Sequence, residues 1–262
     1  MNRILFYISL FYFPFSYGQI DDAYSNILSG AQVNMKSSLS LFYNPALQSD
    51  TNKTEIGIGN TFQYMKSGIY DFQLVVSTRK KKGTFGIGLS QNGFAQFNKT
   101  AVVLHYAIAL DSTWSAGLTM GVSSSNYLLK RNFAPHFSLG ISKQLNKQIQ
   151  LSLGLFSQQI ATQSDVLKKE MRYKWKSGFS YTSLNKQFTV YLSGKYSNQF
   201  TLGLCLYYRL SDGFHFFIAG KNAPTTYSFG SKLQLKSLVV VLGFHYHSYL
   251  GFSPSSVVEY AF

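Results

Sequence analysis

The sequence predicts an all-β chain, a transmembrane antiparallel β-barrel of about 14 strands led by a short N-terminal plug or cap segment. Three observations predict it. Bulky apolar residues alternate with small or polar ones, with a period of two, from about residue 54 to the C-terminus. Aromatic residues make up 17% of the chain and charged residues only 13%, a poor surface to show to water. After the first 18 residues there is no apolar run of about 18 that could cross a bilayer as a helix, so strands are left to meet the lipid. Closing them into a barrel then pairs every backbone group.

Residues 1–18, MNRILFYISLFYFPFSYG, combine Arg3, an apolar run from Ile4 to Phe15 and the small residues Ser16 and Gly18. That is the layout of a secretory signal, with cleavage expected before Gln19. The run is too short for a membrane anchor and is interrupted by Pro14. Lysine and arginine number 24 against 10 acids, for a net charge of +14, and only Arg3 would leave with the signal. The bases are scattered through alternating apolar segments, which argues against nucleic acid. Lipid, lipopolysaccharide or an anion-favouring interior suits them better. Cys205 is the single cysteine, so no disulfide framework and no lipid attachment near the cleavage site is expected. The expected location is the outer membrane of a Gram-negative bacterium.

Residues 19–53 alternate poorly and are read as a plug or cap at one barrel mouth, an ordinary lead-in being the alternative. Leu41, Phe42, Asn44 and Pro45 carry that reading, with Asn44-Pro45 as a turn or helix start. The barrel is expected over 54–262. Ile56, Ile58 and Phe62 alternate with Gly57 and Gly59, then Tyr70, Phe72, Leu74 and Val76 with Asp71, Gln73 and Ser77. The basic run Arg79 to Lys82 marks a turn. Phe85, Ile87 and Leu89 follow, then Val102 to Leu110, then, after the turn Asp111-Ser112-Thr113, Trp114 to Val122.

A longer polar connection is expected over Ser123 to Asn132, before Phe133 to Ile141 and Ile149 to Leu155. The stretch Ser157 to Glu170 is read as the largest connection of the barrel and an extracellular loop. Beyond it, Tyr173, Trp175, Phe179 and Tyr181 face away from Arg172, Lys174, Lys176 and Ser180. The cleanest strand sets Phe200, Leu202, Leu204, Leu206 and Tyr208 against Gly203, Cys205, Tyr207 and Arg209. Asp212-Gly213 is a hairpin turn. The run LVVVLGFHYHSYL leads to a turn at Gly251-Phe252-Ser253-Pro254, and a final strand from Ser255 to Phe262 is expected to close the sheet. Strands starting near 54, 67, 83, 99, 113, 133, 147, 172, 187, 199, 213, 226, 237 and 255 give the even number that an antiparallel barrel needs, with both ends on the periplasmic side.

The inner face is rich in glycine and serine. Its charges are Lys174, Lys176, Lys195, Arg209, Lys221 and Lys232, and the pair His245 and His247 shares that face. This reads as a basic, anion-tolerant passage or as a filled barrel with bases near its mouths. Two histidines two apart on a strand are spaced as ligands, but no Cys-x-x-Cys, His-Glu-x-x-His or acidic cluster accompanies them, and no metal or cofactor is expected. Ser253 lacks a placed base and acid, so no catalytic residue and no enzyme is expected.

Several stretches resemble the PorV/PorQ-like outer-membrane proteins of Bacteroidota, themselves distantly similar to long-chain fatty-acid transporter barrels. They are Leu39-Ser40-Leu41-Phe42-Tyr43-Asn44-Pro45-Ala46, Phe85-Gly86-Ile87-Gly88-Leu89-Ser90 with His105-Tyr106-Ala107, Trp114-Ser115-Ala116-Gly117, Thr226-Tyr227-Ser228-Phe229-Gly230 and Leu250-Gly251-Phe252-Ser253-Pro254. The resemblance implies a 14-stranded barrel with a plug-like leader, closed by a segment that includes Gly251, Phe252, Pro254 and Phe262. It also implies a structural or type IX secretion-associated role beside another envelope protein. The alternative is a passive conduit for small amphipathic or anionic molecules.

Overall fold

The computed structural model describes residues 23–48, 53–65, 68–80, 83–94, 97–127, 130–161, 169–197 and 199–262. The expected signal, residues 1–18, lies outside the described residues. Fourteen strands form one closed antiparallel barrel: β1 (Glu55–Gln63), β2 (Ile69–Lys80), β3 (Gly83–Phe94), β4 (Phe97–Ala109), β5 (Trp114–Tyr127), β6 (Lys130–Gln144), β7 (Ile149–Ala161), β8 (Lys169–Thr182), β9 (Phe188–Tyr196), β10 (Phe200–Ser211), β11 (Phe214–Asn222), β12 (Thr225–Leu235), β13 (Leu238–His247) and β14 (Gly251–Ala261). Each strand pairs with its chain neighbours. β14 returns to β1 in register from Glu55 opposite Ala261 to Thr61 opposite Ser255, so no strand of the sheet is an edge strand.

The period of two sorts side chains by face. On β10, Leu204 is 52% exposed on the outside, while Gly203, Cys205 and Tyr207 between its outward neighbours are buried. Phe85, Ile87, Leu104, Val122, Ile218, Phe229 and Leu242 are outward in the same way. A closed sheet that turns its apolar face outward needs lipid against it, and a closed β-barrel is the strand architecture that survives there. No described helix is long and apolar enough to cross a membrane. The protein is an outer-membrane β-barrel.

The barrel has two ends, called near and far below. The near end carries the start of β1, the end of β14 and short turns such as residues 110–113 and 212–213. In the first of these, Asp111 accepts from the amides of Thr113 (2.6 Å) and Trp114 (2.7 Å). Those bonds hold its carboxyl below the usual aspartate range.

Three expected connections differ from the structure. Ser123 to Asn132 is mostly strand: β5 continues to Tyr127 and β6 begins at Lys130. Polar residues suit these positions because both strands run on past the apolar band, and Arg131 there donates to Ser124 Oγ (2.9 Å). The Ser157 to Glu170 stretch is likewise shortened, with β7 reaching Ala161 and β8 starting at Lys169. The turn expected at Gly251-Phe252-Ser253-Pro254 instead lies at 248–250, and those four residues open β14. Gly251 absorbs the change of direction with φ +92. Pro254 is tolerated because pairing with β1 stops at Ser255, so its missing N–H removes nothing from that ladder.

Candidate functional site

A plug and two chambers

Residues 23–48 lie inside the barrel. They form a short helix α1 (Ala23–Ile27) and three 3₁₀ turns, Gln32–Asn34, Ser38–Phe42 and Pro45–Gln48. Asn44 Oδ1 accepts from the Ala46 amide (3.2 Å), starting the last turn at the Asn44-Pro45 step, and Leu41, Phe42, Asn44 and Pro45 are all buried. Helix α1 packs on β12, β13, β14, β1 and β2. The second 3₁₀ turn packs on β1 to β3, the third on β4 to β6, and the first on β7 to β9. Tyr207 on β10 closes the ring with its hydroxyl 3.8 Å from Met35 Sδ.

The wall is shaped for this occupant. A side chain at Gly117 would run into the Pro45 backbone, one at Gly57 into Ser38, and one at Gly243 into Ile27. Wall hydroxyls donate to plug carbonyls: Thr119 to Leu41 O (3.3 Å), Ser152 to Val33 O (3.3 Å), Ser193 to Gly30 O (2.7 Å) and Ser228 to Asn26 O (3.1 Å). Gln73 Oε1 accepts from the Ala23 amide (2.9 Å), and Asp71 accepts from Asn26 (3.2 Å). Glu259 on β14 is the most heavily used anchor. Its Oε1 accepts from the Ser38 amide (2.9 Å), from Ser38 Oγ (2.8 Å) and from Ser37 Oγ. Among the described residues no backbone–backbone hydrogen bond joins plug to wall.

Sequence reasoning missed the apolar part of this seat. Val75, Val103, Val241 and Val257 point inward with Cys205, Tyr207 and Phe217 and pack on Ile27, Leu28, Leu39, Leu41 and Phe42. A signal for it exists, since Leu74-Val75-Val76, Val102-Val103-Leu104 and Val239-Val240-Val241 break the alternation with an extra apolar residue. Glu259, Ser37 and Ser38 carried no such signal. Only the closure of β14 onto β1 brings them together.

All eight residues expected in the lumen sit at inward positions of their strands, but the plug divides them. Lys174, Lys176, Lys195, Lys221, His245 and His247 lie toward the far end, and Arg209 and Lys232 toward the near end. Lys176 and Lys195 are directly opposed on β8 and β9, and the Lys176 ammonium lies 4.4 Å from the centre of the Phe156 ring. His245 Nδ1 is 3.1 Å from Ser228 Oγ, which is itself 2.6 Å from Ser29 Oγ. That chain ties plug to wall, and among the described residues no carboxylate is hydrogen-bonded to the imidazole as acyl transfer would need. Among the described residues no group of three or more histidine, cysteine or acidic side chains converges as a metal site would. Phe262, beyond β14, donates from its amide to Thr54 O (2.9 Å) and so fastens the two ends of the barrel wall.

The near side holds a cavity of ≈ 530 Å³. Asn34, Met35 and Lys36 of the plug line it, and the inner ends of β6 to β12 form its sides. On the far side, β6 and β7 part beyond Ser138 and Phe156. From there β6 stays paired only with β5, and Ser157 to Ala161 only with β8. Ser157 Oγ ends the shared ladder, accepting from the Phe137 amide (2.9 Å) and donating to Phe137 O (3.1 Å). Pro135 lies in the parted stretch, where it costs no hydrogen bond to β7. The result is a notch in the far rim.

These features define the class: an outer-membrane barrel with a polypeptide plug seated across its lumen. No family model matches the chain, and no curated protein matches it. Solved structures do. The CymD monoaromatic hydrocarbon channel aligns over 92% of this chain and 97% of its own, with a TM-score of 0.70 at 12% identity. The toluene transporter TodX of Pseudomonas putida covers 92% and 97%, at 0.65 and 9%. A FadL homologue of Pseudomonas aeruginosa covers 92% and 97%, at 0.62 and 8%. The likeness to these channels is one of fold.

Proposed function

We propose that the chain is a plugged outer-membrane conduit for small amphipathic or anionic molecules, exported with residues 1–18 as its signal and placed with its near end toward the periplasm. The observation that carries this reading is the way the plug is held. It fills the lumen but shares no backbone ladder with the wall among the described residues, so it can shift while the barrel stays closed. Basic residues wait on both sides of it, and the notch between β6 and β7 offers apolar solutes a sideways path from the far chamber. Fold likeness to hydrocarbon channels supports a conduit more than a secretion component.

A second reading is a scaffold of the PorV/PorQ-like, type IX secretion-associated kind, with lipopolysaccharide or an envelope protein against its rim. Plug contacts with twelve of the fourteen strands favour it. One experiment separates the two: conductance and solute flux in planar bilayers and liposomes, with deletion of residues 24–47 and with a Ser29→Cys/Ser228→Cys pair that ties plug to wall. Those two hydroxyl oxygens are 2.6 Å apart, a separation a disulfide can take over. The conduit reading expects flux in the parent, more after deletion, and loss in the oxidised double variant that reductant restores. A folded parent without flux, conducting only after deletion, leaves the scaffold.

A further inference from the structure

We propose that the near-side cavity is a binding site for a small polyvalent organic anion, one carrying two or more phosphate or carboxylate groups. The first argument is charge. Lys36, Lys147, Lys186, Arg209 and Lys232 line the ≈ 530 Å³ space, and among the described residues Asp212 is its only acidic lining residue. Asp212 is already engaged by Arg209 at 2.5 Å and is exposed at the mouth. The other carboxylate that acts on Lys232, that of Glu259, accepts from Ser37 and Ser38 of the plug. Five basic side chains against one acid give the space a net positive charge, which a multiply charged anion matches better than a singly charged one.

The second argument is arrangement. Arg209, His215 and Lys232 are direct cross-strand partners on β10, β11 and β12, all pointing inward. Side chains so opposed lie about 5 Å apart, so His215 stands between two cations, Arg209 and Lys232, that face the same space. His215 Nε2 is shielded from solvent with no hydrogen-bond partner among the described residues. The row thus sets Lys232 and an imidazole nitrogen without a partner beside Arg209, which Asp212 already holds. The Gln234 amide side chain adds a neutral group beside it, Gln144 and Gln150 already donating within the wall, and Lys36 brings a cation from the plug itself. A ligand here touches wall and plug together.

The site is independent of whether the barrel conducts, because its mouth residues Lys147, Lys186 and Asp212 are exposed and the cavity fills from the near end. The test is calorimetric titration of the detergent-purified full chain with pyrophosphate, with citrate and with acetate. Heat-modifiable gel mobility confirms folding of every variant. Expected is saturable 1:1 binding of pyrophosphate or citrate and none of acetate. The tighter of the two polyanions identifies phosphate or carboxylate as the preferred group. Arg209→Gln and Lys232→Gln each weaken binding by about tenfold, the loss of one charged hydrogen bond. Lys80→Gln, an equal charge change at the same end outside the cavity, leaves it unchanged. Binding that Lys80→Gln weakens as much as Arg209→Gln, acetate binding as tight as the polyanions, or a folded parent that binds neither polyanion would each overturn the proposal.

Discussion

The wall and the plug are both packed, yet different forces hold them. Fourteen antiparallel ladders close the wall, and each strand is hydrogen-bonded on both sides. The plug is held by buried side chains, by hydrogen bonds that wall serines and Thr119 donate to it, and by those that Gln73, Asp71 and Glu259 accept from it. A wall strand cannot leave without exposing two rows of backbone groups to lipid, which is prohibitive. The plug can leave for the cost of its side-chain contacts, and the barrel remains closed behind it. Any movement that leaves the wall's ladders intact is therefore confined to residues 23–48 and the side chains that seat them.

The same substitution on either side of this divide breaks the comparison most sharply. Leu204→Arg places a charge on the lipid face of β10 and is expected to cost about 2–4 kcal/mol of wall stability near the membrane midplane. Urea unfolding in lipid vesicles reads that loss. Leu41→Arg, in the plug core, is expected to leave unfolding of the wall unchanged and to raise conductance instead. Equal loss of wall stability in both variants would show that plug and wall fold as one unit.

Glu259 tests a single tie across the divide. Glu259→Ala removes the acceptor of Ser37 and Ser38 and is expected to cost plug seating about 2 kcal/mol. That corresponds to about a thirtyfold rise in the unseated fraction, visible as more frequent openings in single-channel records. An unchanged opening frequency would mean that the apolar seat alone holds the plug.

The smallest effect belongs to the wall's rim. Asp111 carries a lowered pKa because the Thr113 and Trp114 amides favour its charged form. A carboxyl depressed in the folded state stabilises above its unfolded pKa, and that contribution fades as pH falls through the folded value. Asp111→Ala is therefore expected to lower thermal stability slightly at neutral pH, to match the parent in strong acid and to leave conductance untouched. A pH-independent difference would assign the turn's stability to something other than this carboxylate.

Much of the wall was legible because a strand's face is a local property. Residues 200–208 alternate, so Leu204 must oppose Cys205 whatever surrounds them. Strand ends were less legible. Ser123 to Ser125 and Gly251 to Pro254 have turn-like composition, yet neighbouring strands recruit them because a ladder extends for as long as partners are available. The inner face showed its chemistry, bases and histidines among glycine and serine, but not its division into two chambers. That division depends on where residues 23–48 come to rest.

By itself the sequence determined that strands of period two turn an apolar face outward, that their even number closes an antiparallel sheet, and that the inner face is small, hydroxylated and basic. Those follow from composition and spacing along the chain. Only the tertiary structure decided that Gly57, Gly117 and Gly243 are seats for a plug, that Glu259 meets Ser37 and Ser38, and that Arg209, His215 and Lys232 form one row over a cavity. The physical reason is separation. These partners stand far apart in the chain or on different strands, and no local preference reports a contact that exists only once β14 has closed on β1 and the lumen has an inside.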